Sequence, residues 1–175
     1  YLPAQSEKAR EGGFREMPVA SSILDLATLA NTDEISFEFA AILPLPEEKA
    51  VGCHPPAVGM TIGQIPAACP PKILRISSDV VVDNAESQEV EFSIVIAAGL
   101  DNARALFSEE RTVEPGEGFS GWVSIAPGED NRLSAFINDQ IGVWQNIYFA
   151  TRMKTPGDNS FAWAKFRNVS LMING

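Results

Sequence analysis

A run of alternating residues near the end of the chain carries the side chains best suited to holding a ligand. Residues 144–153 read Trp-Gln-Asn-Ile-Tyr-Phe-Ala-Thr-Arg-Met, and successive side chains of a β-strand point to opposite faces. One face is then apolar and suits a core, with Ile147, Phe149, Thr151 and Met153. The other combines aromatic rings with planar hydrogen-bonding groups, with Trp144, Asn146, Tyr148 and Arg152. Surfaces of this kind commonly hold sugars and other polar rings.

The other two tryptophans divide between this face and the core. In residues 119–125 the apolar side chains alternate with Ser120, Trp122 and Ser124, so Trp122 lies on a polar side. It is either exposed at a binding face or covered by another segment, and the segment 44–71 is the candidate cover. We expect Trp122 or Trp144 to stack on a sugar ring, with Asn146 and Arg152 supplying directed hydrogen bonds. Trp163 lies between two alanines that leave room for close packing, which favours the core.

No arrangement of residues predicts catalysis. The only histidine is His54, and its neighbour Cys53 is badly placed to share a proton with it, so a nucleophile–histidine pair is not expected. Glycoside hydrolysis needs two facing carboxylates. Glu89 and Glu91 share a strand face opposite Val90 and Phe92, where a solvated surface accounts for them, and Glu38 is a further candidate on a neighbouring strand. We therefore predict no enzyme activity.

The metal-binding and redox candidates are few. Cys53 and Cys69 bracket a stretch rich in proline and glycine, and they form either a disulfide, which would contribute about 3 kcal/mol, or two free thiols. Zinc is not predicted, because short paired spacings of Cys and His are absent. The clusters 129–131 and 158–160 have ligand chemistry suited to calcium, but both are ordinary turn sequences. No cofactor is predicted, and a structural calcium is the one alternative left open.

Charge and length exclude several classes of function. The chain has 175 residues and a formal net charge of −10, which argues against nucleic acid or an anionic membrane as a partner. No stretch approaches about 18 consecutive apolar residues, so membrane insertion is not expected. A chain of this length fits one domain and buries roughly 70% of its unfolded surface.

The sequence pattern predicts that short β-strands position these residues. Alternating segments recur about every ten residues, as at 35–43, 89–96, 122–125 and 161–166, and turns rich in Gly, Pro, Asn and Asp separate them. This spacing predicts an all-β antiparallel sandwich of the jelly-roll type, formed by residues 1–175 as a single domain. Residues 1–20 are predicted to be an irregular arm and 44–71 a long Pro/Gly-rich loop. Ser21 and Ser22 favour a short helix, although a strand over 23–27 fits almost as well.

The segment from Ile73 to Ile173 resembles the jelly-roll sandwiches of carbohydrate-binding modules and lectin-like domains. The similarity lies in the Glu114-Pro115-Gly116 turn before a Trp-bearing strand, the strand 147–152, and the closing run 161–166 before a last apolar strand. It implies a non-catalytic module that binds a glycan or polysaccharide through exposed aromatic rings. The same resemblance implies an extracellular location or one at a virion or cell surface.

A structural role is the alternative function. The polar arm and the Pro-rich loop are segments that would clasp neighbouring subunits in a virion or a cell-surface appendage. In that case the chain would form a homo-oligomer or a larger assembly. Whether the Pro-rich loop covers the face formed by Trp122, Trp144, Asn146, Tyr148 and Arg152 separates the two functions.

Overall fold

The computed structural model describes residues 14–33, 41–65, 73–108, 116–137 and 146–174. Within them most of the chain is β-strand, as the alternation predicts. The strands are β1 (Phe14–Pro18), β2 (Thr28–Thr32), β3 (Ile42–Leu45), β4 (Ala50–Cys53), β5 (Met60–Ile65), β6 (Ile73–Val82), β7 (Val90–Ala97), β8 (Val123–Ile125), β9 (Asp130–Phe136), β10 (Asn146–Met153) and β11 (Ala164–Asn174). The helices are α1 (Ser21–Leu24), a 3₁₀ turn (Pro46–Glu48) and α2 (Leu100–Phe107).

The strands form two antiparallel sheets. Sheet I has the order β3-β4-β11-β6-β9, and β1 also pairs with β11. Sheet II has the order β2-β5-β10-β7-β8. Every pairing between these strands is antiparallel, so the predicted β-sandwich is confirmed.

The core lies between the two sheets and is built from the apolar side of each strand. On β10 the predicted core residues Ile147, Phe149 and Met153 are all buried there. Phe166 of β11 meets Phe149 and Phe92 edge-on, with ring centres 5.0 and 5.4 Å apart, a favourable aromatic geometry. These contacts fix which side of β11 faces inward.

The segment predicted as a long irregular loop instead contributes three strands. β4 and β5 lie within residues 44–71, and β3 overlaps their start. The loop prediction is therefore wrong for residues 44–65. Residues 66–72 lie outside the described part. Pro44 is tolerated because β3 is at the edge of sheet I, where one side of the strand needs no ladder hydrogen bonds. β5 lies inside sheet II, between β2 and β10.

The last residues of the predicted arm also belong to the sandwich. β1 pairs along the last part of β11, with Glu16 opposite Met172, so residues 14–18 are not irregular, while residues 1–13 lie outside the description. The short helix predicted after Ser21 is present as α1. Most of the strand predicted over 35–43 lies outside the described residues, and its end forms the start of β3.

Helix α2 was not predicted, and it adds a layer outside sheet II. Its buried residues Ala103 and Phe107 pack on a second apolar cluster that includes Ile62, Val95 and Tyr148. Leu100, Ala103 and Phe107 have the spacing of one helical face. Gly99 precedes them in an extended N-cap conformation, and Asp101 is in the first turn, so the signal was present in the sequence.

Gly63 of β5 gives a direct test of the packing between the sheets. A Cβ at this position would lie 2.6 Å from the Phe149 ring and 2.9 Å from Ile42 Cδ1. We expect Gly63→Ala to lower the free energy of unfolding by about 1–3 kcal/mol through overpacking, measured by urea denaturation. At Gly52 the nearest atom is at 3.4 Å, so Gly52→Ala should change stability by less than about 0.5 kcal/mol. Equal losses in the two variants would contradict this packing.

Candidate functional site

Four of the five residues predicted to hold a ligand lie on one face, which is partly covered. Trp122, Asn146, Tyr148 and Arg152 lie on the side of sheet II that faces away from the core, and Trp144 is outside the described residues. Tyr148 is only 2% exposed and belongs to the apolar cluster beneath α2. Among the described residues, the cover is this helix and not residues 44–65, whose strand β5 lies within sheet II.

Trp122 has a structural role on this face. Its ring packs 5.7 Å from that of Phe107, and its indole N–H donates to the Phe107 carbonyl over 3.0 Å. The Arg152 guanidinium carbon lies 3.9 Å from the centre of the same ring, an attractive cation–π arrangement. Trp122 therefore fastens the end of α2 to sheet II, and these contacts occupy much of its ring.

The polar groups of this face also form hydrogen bonds within the chain. Asn146 Nδ2 donates to the Ala98 carbonyl over 3.1 Å, and Arg152 Nε donates to Glu91 over 2.8 Å. Burial raises the pKa of Tyr148, and a hydrogen bond with the Asn146 side chain opposes this effect in part. The predicted hydrogen-bonding groups thus hold the face together.

Of the two described tryptophans, Trp163 is the more exposed. It was expected in the core, but it is 40% exposed, whereas Ala162 and Ala164 on either side of it are buried. The alternation of buried and exposed residues continues along β11. Phe166 is buried on the core side, and Lys165 and Arg167 lie on the opposite side with Trp163. Trp163 therefore shares its face with two charged residues, a pattern that was visible in the sequence.

The Trp163 side of β11 belongs to the outer face of sheet I, meaning the face turned away from the core. Lys165 and Arg167 follow one another on this face, about 6.6 Å apart as alternate residues of a strand, and Trp163, just before β11, lines the same depression as Lys165. Val81 and Asp79 of β6 stand beside Lys165 and Arg167, and Gly52 and Ala50 of β4 flank them on the other side. No described helix covers this face.

Two carboxylates hold both cations of β11. Lys165 Nζ donates to Glu48 Oε1 over 2.8 Å and also contacts Asp83. Arg167 Nη2 lies 3.2 Å from Glu48 Oε1 and 3.1 Å from Asp83 Oδ2. The hydrogen bond from Lys165 lowers the pKa of Glu48. Burial acts against a charged Lys165, but its bonds to Asp83 and Glu48 outweigh this and raise the pKa of its ammonium.

A second ion-pair group lies further along the same face. Arg132 Nη1 donates to Asp79 over 2.7 Å, and Asn168 Nδ2 donates to the other oxygen of that carboxylate over 2.8 Å. Burial would raise the pKa of Asp79, yet these two hydrogen bonds lower it. The charged side chains of this face are therefore held in fixed positions by one another.

A shallow apolar depression opens beside Trp163. Its walls are formed by Leu43, Leu45, Gly52, His54, Trp163 and Lys165, and its cavity volume is about 40 Å³. The Lys165–Glu48–Asp83 group thus borders the depression. A ring that stacks on Trp163 would have charged hydrogen-bonding groups directly beside it.

His54 holds the turn that presents Trp163. One ring nitrogen, Nδ1, lies 3.0 Å from the Ala162 carbonyl, and Nε2 lies 3.4 Å from Asn159 Nδ2. The His54 and Trp163 ring centres are 5.8 Å apart. Phe161 has a φ of +61° and is 48% exposed, an uncommon backbone conformation for a bulky residue. Strain of this kind is concentrated at functional sites.

Cys53 is a buried free thiol behind the depression. Its sulfur lies 3.2 Å from Thr151 Oγ1, and burial raises its pKa to about 12 although hydrogen bonds with Thr151 oppose the shift. The structure does not support a disulfide at Cys53, and Cys69 lies outside the described residues. A thiol with this pKa is a poor nucleophile at neutral pH.

The turns proposed for calcium show ordinary turn contacts. The Ser160 N–H donates to Asp158 Oδ1 over 2.9 Å, and the Ala126 N–H donates to Glu129 Oε1 over 2.9 Å. Within the described ranges, no three side chains of His, Cys, Asp or Glu come together as a metal-binding group.

A comparison with known protein families identifies the family of this chain. The model of a family of unknown function, DUF6212, matches residues 1–152. The chain belongs to this family. No curated protein matches it. Among the described residues, no helix is both long and apolar enough to cross a membrane.

Solved structures that are similar to the chain include carbohydrate-binding modules. The xylan-binding module CBM15 is 12% identical, with a TM-score of 0.49, and the match covers 93% of this chain and 98% of that one. A structure containing CBM51-2 of Clostridium perfringens is 11% identical, with a TM-score of 0.47, over 90% of this chain and 31% of that chain. CBM36, solved with calcium and xylotriose, is 12% identical, with a TM-score of 0.35, over 90% of this chain and 98% of that chain.

The two described tryptophans should differ in their effect on stability. Trp122→Ala removes the ring that anchors α2 and should lower the free energy of unfolding by about 2–4 kcal/mol. Trp163→Ala removes a ring that is 40% exposed and should cost about 1–2 kcal/mol. Chemical denaturation followed by circular dichroism measures both. A larger loss for Trp163→Ala than for Trp122→Ala would contradict the assignment of their environments.

Proposed function

We propose that the chain is a non-catalytic carbohydrate-binding module whose ligand lies on the outer face of sheet I, with Trp163 as the stacking platform. The observation that carries this proposal is the exposed Trp163 ring at the edge of an open apolar depression, beside charged groups held in fixed positions. A sugar ring offers an apolar C–H face to the indole and hydroxyl groups to the charged side chains around it.

The charge on this face favours a sugar over a protein partner. The centres of protein–protein interfaces are depleted in charged residues. Here the middle of the face is formed by paired charges on Lys165, Arg167, Glu48, Asp83, Asp79 and Arg132. Hydroxyl groups can donate to these carboxylates and accept from these cations without removing either from water.

The open shape favours a polymer over a small ligand. Sites for small molecules usually bury most of the ligand in a closed cleft, whereas the depression beside Trp163 is shallow and continues onto a flat sheet. A polysaccharide chain can lie across such a face and gain several weak contacts in succession. Such ligands fit a protein that acts outside a cell or at a cell or virion surface.

The absence of catalysis is supported by the state of the carboxyl groups. A glycosidase needs a carboxylic acid with a raised pKa as its proton donor. Among the described carboxyl groups on the outer face of sheet I, those of Glu48 and Asp79 have displaced pKa values, and both are lowered by their cationic or amide partners. Glu89 of sheet II is likewise held by Lys154 and Ser124, which lower its pKa.

The assembly role has less support in the described part of the chain. The end of the predicted arm forms β1 and pairs with β11 of the same chain. The described part of the predicted loop supplies β3, β4 and β5 to its own sheets. These segments are therefore engaged within the molecule.

Trp163→Ala should weaken polysaccharide binding about ten-fold or more, equivalent to about 1.4 kcal/mol, because the stacking surface is lost. Affinity gel electrophoresis against soluble xylan, glucan and mannan, followed by calorimetry on any that bind, measures the change. Trp122→Phe is the matched control, since it alters a tryptophan beneath Arg152 on the other sheet and should leave affinity within about two-fold. Full binding by Trp163→Ala, or binding of none of the polysaccharides by the unaltered chain, would overturn the proposal.

A further inference from the structure

We infer that the ligand is an uncharged polysaccharide and that Glu48 and Asp83 determine this specificity by neutralising Lys165 and Arg167. The inference rests on the proposed function and concerns the same face. It assigns to two carboxylates the task of excluding acidic glycans, such as those built from uronic acids.

The four side chains form a closed group of two cations and two anions. Glu48 Oε1 accepts from both Lys165 Nζ, over 2.8 Å, and Arg167 Nη2, over 3.2 Å. The Asp83 carboxylate is reached by the same two cations, with its oxygens 3.1 and 3.2 Å from Arg167 Nη2. Each carboxylate thus bridges both cations, and the group as a whole carries no net charge.

The two carboxylates come from different elements that meet beside β11. Glu48 is in the 3₁₀ turn between β3 and β4, and Asp83 follows the end of β6. Asp83 is also fixed by its backbone, since its N–H donates to the Trp163 carbonyl over 3.2 Å. The neutralising group is therefore attached to the segment that presents the stacking ring.

An acidic sugar would find no available cation in this group. Arginine and lysine recognise carboxylates through short charge-assisted hydrogen bonds, and here those bonds are already made within the chain. Arg132 of β9 is likewise paired with Asp79 over 2.7 Å, while Arg75 of β6 donates to the Ser134 hydroxyl over 3.3 Å. An incoming uronate would have to displace Glu48 or Asp83 while lying close to both negative charges.

The charge of the whole chain acts in the same direction. A net charge of −10 repels a polyanion before contact and slows its association. Neutral hydroxyl groups experience no such repulsion. They can use the remaining lone pairs of the two carboxylates as acceptors, since each carboxylate has about four acceptor sites.

The test compares the unaltered chain with the double variant Glu48→Gln/Asp83→Asn. Both proteins are run in affinity gels containing neutral mannan, glucan or xylan and in gels containing polygalacturonate. The unaltered chain should be retarded by a neutral polysaccharide and not by polygalacturonate. The double variant exposes two cations and should gain polygalacturonate affinity of about ten-fold or more, and this gain should disappear at about 0.5 M salt because of screening.

The matched control is Glu47→Gln/Glu86→Gln. It raises the net charge by the same two units at exposed neighbouring positions, and neither glutamate forms an ion pair among the described residues. It should gain no polygalacturonate affinity. A gain equal to that of Glu48→Gln/Asp83→Asn would show that overall charge, not the neutralising pair, sets specificity and would overturn the inference.

The other possible results for the unaltered chain also test the inference and the proposed function. If the unaltered chain binds polygalacturonate more tightly than every neutral polysaccharide, the inference fails while the proposed function survives. If it binds neither class, both fail. If Glu48→Gln/Asp83→Asn does not fold, the salt dependence of binding by the unaltered chain is measured instead. Its affinity for a neutral polysaccharide should stay within about two-fold between roughly 0.05 and 0.5 M salt. A steep fall in affinity would contradict the inference.

Discussion

The packing of Phe166 between Phe92 and Phe149 is the interaction on which the arrangement of the site depends. These rings meet edge-on in the core, and they hold β11 with one defined side facing inward. Because a strand has a repeat of two, a shift by one residue would turn every side chain to the other face. The position of Phe166 therefore places Trp163, Lys165 and Arg167 together on the outer face of sheet I, where they face solvent and the carboxylates of neighbouring elements.

Among the described residues, the two outer faces of the sandwich differ in that a helix packs on sheet II. Helix α2 packs on sheet II, and Trp122, Tyr148 and Phe107 form an apolar cluster with it. The residues on that side hold the fold together. On sheet I the same kinds of residue, an aromatic ring beside arginine and lysine, are partly exposed and form the proposed ligand face. The composition of a face alone does not separate these roles, since its cover decides them.

Much of the fold followed from the sequence, because strand alternation is a local property. The core side of β10, the short α1 helix and the antiparallel sandwich all agree with the pattern. The position of Trp163 could also have been read from Lys165 and Arg167 on its side of the strand. The coverage of Trp122 could not, since it depends on where α2 docks. Similarly, the ion pairs of Glu48 and Asp83 join residues more than 80 positions from Arg167, and no local pattern indicates such contacts.

The central claim is that Trp163, and not Trp122, is the surface that meets a carbohydrate. The most direct measurement is a titration of the ¹⁵N-labelled chain with a neutral oligosaccharide cut from whichever polysaccharide binds, followed through the indole N–H signals and the backbone amides. We expect the Trp163 indole and the amides of Lys165 and Arg167 to shift, while the Trp122 indole, which donates to the Phe107 carbonyl, stays in place. Shifts confined to Trp122 and helix α2 would contradict the account.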